Sequence, residues 1–283
     1  MTPLQRRKAL FAEFSSKFEH RKVSDLISVV RTPWTEFHSL RHAVNRYISC
    51  GSLNERTTPN GIVVPDRDSA LEFNAVSREF YRAMSFLPRD HVPSWNVPLS
   101  LRVKHDDGRR SGISPRATEM PHCDGWVGEC PNSVIMQLYV YGTRPGNCVR
   151  YRDPPDDFQE EWIGWRPFEE GQEIAARYKP LDFVPQDGDV VLTDISVIHH
   201  TQLEAPQQSY LSGNMRVSID TTFGLEDAGL SPERQHRGTR AGWDVVIGLG
   251  QTHLLVFPNR RDERADDGGG KKQAVNCQLK QLC

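Results

Sequence analysis

The segment Met215-Arg-Val-Ser-Ile-Asp-Thr-Thr-Phe223 alternates apolar and polar residues along most of its length. Successive side chains of a strand point to opposite faces, so this pattern predicts a β-strand with one apolar face. Four other short segments are rich in residues that favour strands, and Gly, Pro and Asp turns separate them. Such short strands predict a sandwich or a barrel rather than a parallel sheet with crossover helices. The four segments are residues 99–104, 132–141, 148–152 and 189–193.

The first ninety residues carry a helical period instead of the period of a strand. Apolar residues recur there every three to four positions, which predicts three helices that each bury one apolar stripe. Ser69-Ala-Leu-Glu72 matches a capping box and predicts the start of the third helix. The three stripes are Leu10, Phe11, Phe14 and Phe18; Trp34, Phe37, Leu40, Val44 and Tyr47; and Phe73, Val76, Phe80, Met84 and Leu87.

These patterns together predict an α+β fold with a mainly β core, a barrel or jelly roll wrapped by N-terminal helices. Residues 1–95 are predicted to form a helical support region and residues 96–225 the β core. Residues 226–260 are predicted to extend the same domain. Residues 261–283 are rich in charged residues and glycine, and we expect a mobile tail there.

Composition and charge exclude several classes of protein. The chain has 283 residues, of which 37% are hydrophobic, and its 35 basic and 37 acidic residues leave a formal charge of −2. No basic excess is left to follow nucleic-acid phosphates, and no apolar run approaches the length of a membrane span. Six unevenly spaced cysteines do not resemble a disulfide framework. Residues 1–8 lack the pattern of a secretory signal, so we expect a cytoplasmic protein with no nucleic-acid or membrane partner.

Two histidine-containing segments could supply a metal site. In His122-Cys-Asp124 the first and third residues point to the same side if the chain is extended, so both could reach one ion. His199 and His200 end the strand-like run from Gly188, and either could add a third ligand. Two imidazoles and one carboxylate leave three positions of an octahedral metal open, which is the arrangement in non-haem Fe(II) oxygenases.

A second pair of residues is suited to binding a carboxylate. Arg216 and Ser218 follow His199 on the strand that opens this section, and they share a face because they lie two residues apart. A guanidinium and a hydroxyl on one face suit an incoming carboxylate. The alternative is that Arg216 lies on the solvent face, since an arginine inside a barrel is a costly buried charge.

Three cysteines near the His-x-Asp segment suggest an alternative, a structural zinc site. Cys123, Cys130 and Cys148 could bind a structural zinc together with His122. Their spacing is not that of a known zinc site, which favours small apolar side chains that fill the core.

Residues 97–223 resemble the double-stranded β-helix core of Fe(II)/2-oxoglutarate-dependent oxygenases, in the style of the phytanoyl-CoA-hydroxylase-like branch. Each motif of the resemblance is short, and their order and spacing together carry it. The motifs are His122-Cys-Asp124 and the strand after it, Gly188-Asp-Val-Val-Leu-Thr-Asp194 leading to His199, and Arg216-Val-Ser-Ile-Asp220.

The resemblance implies the ligands of two small groups. His122, Asp124 and His199 would hold Fe(II). Arg216 and Ser218 would bind the far carboxylate of the cosubstrate 2-oxoglutarate. The partners implied are dioxygen and a small-molecule substrate.

Three details refine this resemblance. The family's spacing, and the hydroxyl of Thr201 two residues further on, favour His199 as the distal ligand, with His200 as the alternate. Many members carry Pro-Gly-Ser-His between the two metal motifs, whereas this chain has Cys-Val-Arg-Tyr-Arg-Asp-Pro-Pro at 148–155. Related halogenases have Gly or Ala where this chain has Asp124, which argues against halogenation.

The activity implied is that of a dioxygenase. It would hydroxylate or otherwise oxidise an unactivated C–H bond of a small metabolite, such as an amino acid or a natural-product intermediate, and release succinate and CO2. The competing hypothesis is a non-catalytic jelly-roll binding module with a structural metal.

Overall fold

A computed structural model describes most of the chain up to residue 224. In the described part of the chain no helix is both long enough and apolar enough to span a membrane. The described residues are 1–58, 60–87, 94–97, 99–105, 118–127, 132–203, 215–224 and 245–247.

Five α-helices and eleven β-strands, numbered in chain order, are assigned within the described residues. The helices are α1 (Pro3–Ser15), α2 (Trp34–Ser49), α3 (Leu53–Arg56), α4 (Ala70–Ala83) and α5 (Gln172–Ala176). The strands are β1 (Arg21–Ser24), β2 (Ile27–Arg31), β3 (Ser94–Val97), β4 (Ser100–His105), β5 (Ser133–Tyr141), β6 (Asn147–Asp153), β7 (Lys179–Pro180), β8 (Asp189–Asp194), β9 (Ile198–Leu203), β10 (Met215–Gly224) and β11 (Val245–Ile247).

The strands form two antiparallel sheets. The larger sheet has the order β1-β2-β8-β5-β10-β3-β11, with β4 also paired to β10, and the smaller sheet has the order β7-β6-β9. Non-consecutive neighbours such as β2 and β8 mean that the chain crosses repeatedly between the sheets, as it does in a jelly roll. The predicted fold class, an α+β jelly roll with N-terminal helices, is confirmed.

Turn glycines lie at the end of β5 and at the start of β8, where the sequence predicted turns. Gly142 follows β5 with φ +80°, and a Cβ there would collide with the carbonyl of Met215 at the start of β10. Gly188 precedes β8 with φ +87°. Left-handed backbone of this kind is open to glycine and costly for other residues.

The helices α2 and α4 pack against each other through apolar stripes, and α2 also contacts β5. Tyr47 and Phe73, for example, are almost completely buried, with ring centroids 5.3 Å apart. Burial of each such side chain contributes about 1.5–3 kcal/mol. Trp34 was predicted to belong to this stripe, but it is 74% exposed and stacks on His38. It is the first residue of α2, and the buried residues of this helix begin at Phe37.

The predicted capping box at the start of α4 is wrong. Ser69 makes no capping hydrogen bond to the helix, and its hydroxyl instead donates to Asp66 at 2.5 Å. Glu72 pairs with Arg46 of α2. A true capping box occurs at α1, where the Thr2 hydroxyl accepts from the Gln5 amide and the Gln5 side chain accepts from the Thr2 amide.

The N-terminal ninety-five residues also contribute strands that the sequence analysis did not predict. The hairpin β1–β2 extends the larger sheet, because β2 pairs with β8 from Ile27 opposite Thr193 to Arg31 opposite Asp189. The proposed domain boundaries stay predictions. Of the predicted extension over 226–260 only 245–247 are described, and the predicted tail over 261–283 lies outside the described residues.

Candidate metal centre

Three side chains from two segments meet between the sheets. His122, Asp124 and His199 each offer one ligand atom, and these atoms all lie within 4.8 Å of one another. His199 Nε2 is 3.8 Å from Asp124 Oδ1. They form the only group of three or more His, Cys, Asp or Glu with this spacing among the described residues.

Backbone pairing places the two histidines side by side. The amide of His122 donates to the carbonyl of His199 at 3.0 Å, and the amide of His199 donates back at 2.8 Å. Residues directly opposite in an antiparallel pair point to the same side, so both imidazoles face the same space. Their ring centroids are 4.6 Å apart.

The ring of His122 is held so that one nitrogen is free for a metal. Nδ1 lies 2.7 Å from the carbonyl of Met120, which can only accept, so Nδ1 carries the proton and Nε2 keeps its lone pair. Phe168 stacks on the ring of His122, with the ring centroids 4.4 Å apart. Burial, reinforced by His199, lowers the pKa of His122 to about 3, so its imidazole is neutral, as a ligand must be.

Asp124 reaches the centre by a different local structure from the one predicted. The chain is extended at His122 but turns at Asp124 into a short 3₁₀ helix over Asp124–Val127. Trp126 anchors this helix: it is 1% exposed, and its Nε1 donates to the carbonyl of Trp162 at 2.7 Å. The buried Trp126 therefore holds the short helix in the position that brings the Asp124 carboxylate close to the two histidines. Strand alternation alone does not explain this position.

A tight turn joins β8 to β9 and sets the position of His199. The Asp194 carboxylate accepts from the amide of Ser196 at 2.8 Å and from its hydroxyl at 2.5 Å. Arg7 of α1 pairs with Asp194 at 3.3 Å and with Glu160 at 2.5 Å. The N-terminal helix is thus attached by a buried ion pair to the turn just before the metal site.

His200 faces away from the centre. It lies opposite Arg150 in the β6–β9 pairing, whereas His199 lies opposite Tyr151. Burial, with a smaller effect of Arg152, lowers the pKa of His200 to about 4. His200 is not part of the three-residue group, so the geometry brings together the residues that the sequence favoured and leaves out the alternate.

Arg216 lies inside the fold rather than on its solvent face. The residue is 1% exposed, and its Nη2 donates to the hydroxyl of Thr201 at 3.2 Å. Its Nε and Nη1 have no hydrogen-bond partner among the described residues, and no described carboxylate lies within 4.0 Å of the guanidinium. Burial lowers the pKa of Arg216, although not enough to discharge a guanidinium.

Ser218 is buried on the same face of β10, and its hydroxyl is already engaged. It donates to Asp220 at 3.2 Å, and Asp220 also pairs with Arg102 at 2.6 Å. The predicted role of Ser218 toward a cosubstrate stays a prediction. Thr201, which the sequence analysis used only to choose between two histidines, is the hydroxyl in contact with Arg216.

Sequence reasoning missed several interior residues. Tyr139 and Tyr151 are buried, with hydroxyl oxygens 2.6 Å apart, and each lies within hydrogen-bonding distance of Gln137. Lys104 of β4 is 9% exposed. The sequence feature that could have indicated the tyrosine pair is Gln137, a polar residue inside the otherwise apolar strand β5. Lys104 alternates with apolar residues in β4, and the alternation rule assigns it to the solvent face.

The described cysteines do not support the hypothesis of a structural zinc site. Cys123 and Cys148 are buried free thiols, and neither joins the three-residue group. Burial, with a smaller effect of Asp124, raises the pKa of Cys123 to about 12, so it stays a thiol. Cys130 lies outside the described residues.

Comparisons with known proteins find similarity only at the level of structure. No protein-family model matches the sequence, and no curated protein matches it. AviO1 from Streptomyces viridochromogenes Tue57 is similar with a TM-score of 0.45 and 15% identity, covering 77% of this chain and 94% of that one. The epimerase SnoN of nogalamycin biosynthesis is similar with a TM-score of 0.43 and 10% identity, covering 77% and 83%.

A third similar structure is EctD from S. alaskensis, with a TM-score of 0.38 and 13% identity, covering 80% of this chain and 77% of that one. SnoN is a non-heme, alpha-ketoglutarate-dependent epimerase.

Proposed function

We propose that the protein is a non-haem Fe(II)/2-oxoglutarate-dependent oxygenase that acts on a C–H bond of a small metabolite. The observation that carries the proposal is the pairing of two features in one space between the sheets. One is the His122, Asp124 and His199 group, and the other is the buried guanidinium of Arg216 with two unsatisfied N–H groups.

The ligand set fits Fe(II). Two neutral imidazoles and one carboxylate on one side of an ion are the ligands of non-haem Fe(II) oxygenases, and they leave three positions for cosubstrate and dioxygen. The donors come from His122, Asp124 and His199, whose ligand atoms converge within 4.8 Å. A structural zinc site would instead close its coordination with four protein ligands.

The guanidinium fits the far end of 2-oxoglutarate. A buried arginine without a carboxylate costs several kcal/mol, and a bound carboxylate would remove that cost by accepting from Nε and Nη1. Arg216 contacts Thr201, two residues along β9 from His199, which is a rise of about 6.6 Å. This separation suits a five-carbon diacid held by metal at one end and by arginine at the other.

The iron, once bound with 2-oxoglutarate, supplies the activation of dioxygen that oxidises a C–H bond, with release of succinate and CO2. The protein's own residues bind and orient. Met120 fixes the tautomer of His122, Trp126 fixes the helix that begins at Asp124, and the turn at Asp194 fixes the strand of His199.

The recessed position of the centre favours a small substrate. His122 and His199 are 6% and 8% exposed, while the Asp124 side chain retains 22% exposure. A substrate would approach from the Asp124 side and would have to reach between the sheets. An amino acid or a natural-product intermediate has the size for this approach, and we propose that class.

The decisive experiment is anaerobic titration of the protein with Fe(II) and then with 2-oxoglutarate. We expect a weak visible charge-transfer band that appears only when both are present. A screen of small metabolites, read by succinate formation, would then identify the substrate class. Tight metal binding with no band and no affinity for 2-oxoglutarate would overturn the proposal and favour a metal-containing binding module.

A further inference from the structure

Gln172, the first residue of α5, contacts the segment that carries the metal ligand His122. Its Nε2 donates to the carbonyl of Pro121 at 3.0 Å and to the carbonyl of Phe168 at 2.6 Å. Pro121 directly precedes His122, and the ring of Phe168 stacks on the imidazole of His122 with the centroids 4.4 Å apart. One side-chain amide therefore joins the backbone before the ligand to the residue that packs on its ring.

The segment before His122 has little strand pairing of its own. The bridge between His122 and His199 is isolated and belongs to no named strand. The carbonyl of Met120 is bound by the imidazole of His122 itself, and Pro121 has no amide hydrogen to donate. Within the described part of the chain, the Gln172 side chain is the only partner of the Pro121 carbonyl. It therefore supplies a restraint that a regular strand ladder would otherwise provide.

The backbone that carries Gln172 also supports the other end of the His-x-Asp segment. Gly171 directly precedes Gln172, and a Cβ at Gly171 would collide with the ring of Trp126. The ring packs on this backbone because residue 171 has no side chain. Trp126 belongs to the 3₁₀ helix that begins at Asp124. Residues 171 and 172 therefore contact the chain on both sides of the two metal ligands.

We infer that Gln172 is a positioning residue for the metal centre and that it acts through His122. It ties the backbone before His122 to the residue stacked on the imidazole, so that the free ring nitrogen stays close to the ligand atoms of Asp124 and His199. This inference rests on the proposed function, which places the iron on these three side chains. Loss of a residue that orients a metal ligand typically lowers metal affinity ten- to hundredfold.

The two hydrogen bonds of Gln172 require a primary amide on a side chain of this length. Both acceptors are backbone carbonyls, so one nitrogen has to supply two N–H donors, as a primary amide does. Methionine keeps the size of the side chain and lacks the donors. Asparagine keeps the amide but is one methylene shorter, so it can reach at most one of the carbonyls. Neither substitution changes the charge near the metal centre.

The test uses Co(II) alone, because it binds the same nitrogen and oxygen ligands as Fe(II) and its visible spectrum depends on the number and geometry of its ligands. Co(II) affinity and the spectrum at saturation would be measured for the wild type, Gln172→Met and Gln172→Asn. Gln159→Met is the matched control, because the Gln159 side chain also donates to a backbone carbonyl, that of Asp157 at 2.8 Å. Urea unfolding of each metal-free protein measures stability separately.

We expect Gln172→Met to weaken Co(II) binding roughly ten- to hundredfold and to alter the spectrum at saturation. Gln172→Asn should lose less, and Gln159→Met should match the wild type in affinity and spectrum. Wild-type affinity or an unaltered spectrum in Gln172→Met, whatever its free energy of unfolding, would make Gln172 a structural residue only and overturn the inference. If the wild-type protein bound no Co(II), the metal centre of the proposed function would fail first.

Discussion

The guanidinium of Arg216 donates to the hydroxyl of Thr201 at 3.2 Å, and this contact joins the larger sheet to the smaller one. Thr201 lies two residues from His199 on β9, on the same face of the strand. The contact therefore fixes the distance between the candidate carboxylate site and the candidate metal site.

The first prediction concerns the metal ligands. His122→Ala should remove high-affinity Fe(II) binding while the fold is retained, because two ligands remain in place of three. His200→Ala is the matched control, since His200 lies next to His199 but faces Arg150. Metal affinity, measured by anaerobic titration, should be close to wild type in this control. Full iron binding by His122→Ala would rule out the assignment.

The second prediction concerns Arg216 and the cosubstrate. Arg216→Ala should weaken 2-oxoglutarate binding by roughly a hundredfold or more, or about 2.7 kcal/mol, because the far carboxylate loses its planar partner. Arg216→Lys should recover part of the loss, since an ammonium lacks the bidentate fork. Iron affinity without cosubstrate should barely change. A wild-type titration curve for Arg216→Ala would remove the cosubstrate assignment.

The third prediction separates arginines that serve binding from those that serve stability. Arg7→Met should destabilise the ligand-free protein by about 3–5 kcal/mol, because it leaves the buried Asp194 carboxylate without its partner. Arg216→Met should leave stability unchanged or raise it, because it removes a buried charge that has no carboxylate among the described residues. Urea unfolding of both variants measures the difference. An equal loss in both would mean that Arg216 is a structural residue.

The fourth prediction distinguishes two hydroxyls near Arg216. Thr201→Val should weaken 2-oxoglutarate binding more than Ser218→Ala, because the Thr201 hydroxyl contacts the guanidinium while that of Ser218 donates to Asp220. We expect about 1 kcal/mol or less for Ser218→Ala. Calorimetry on the two variants shows which substitution costs more 2-oxoglutarate affinity. A larger loss in Ser218→Ala would mean that Ser218 supplies the hydroxyl that binds the cosubstrate.

The fifth prediction concerns pH. Lys104 has a pKa of about 8, so the ligand-free ammonium loses its proton as pH rises through that value. The charged groups that act on Lys104 are Arg102, Glu119, Arg216 and Asp220.

The lowered pKa of Lys104 makes the stability of the protein depend on pH. Between pH 8 and the ordinary pKa of lysine, the unfolded chain binds more protons at Lys104 than the folded protein does. The contribution of Lys104 to the free energy of unfolding should therefore rise with pH in this window. Urea unfolding of wild type and Lys104→Met from pH 7.5 to pH 10 would show the difference; parallel curves would contradict the lowered pKa.

Local patterns along the chain predict five of the strands, the three long helices and the candidate ligand set. Alternation in β10 and the apolar run of β8 were legible because strand periodicity is a local property of the chain. His122, Asp124 and His199 could be named because their motifs are short and ordered along the sequence. Local pattern failed at Ser69, where a nearby aspartate competes for the hydroxyl that a capping box would use.

Which side chains share an interior depends on how distant strands pair and how the two sheets pack. Alternation shows that His199 and His200 point to opposite sides, but the pairing of β9 with His122 and β6 decides which side is the centre. Arg216 and Lys104 look like solvent-facing residues of amphipathic strands until the smaller sheet covers that face. Register between distant strands depends on the packing of the whole molecule, so no local pattern contains it.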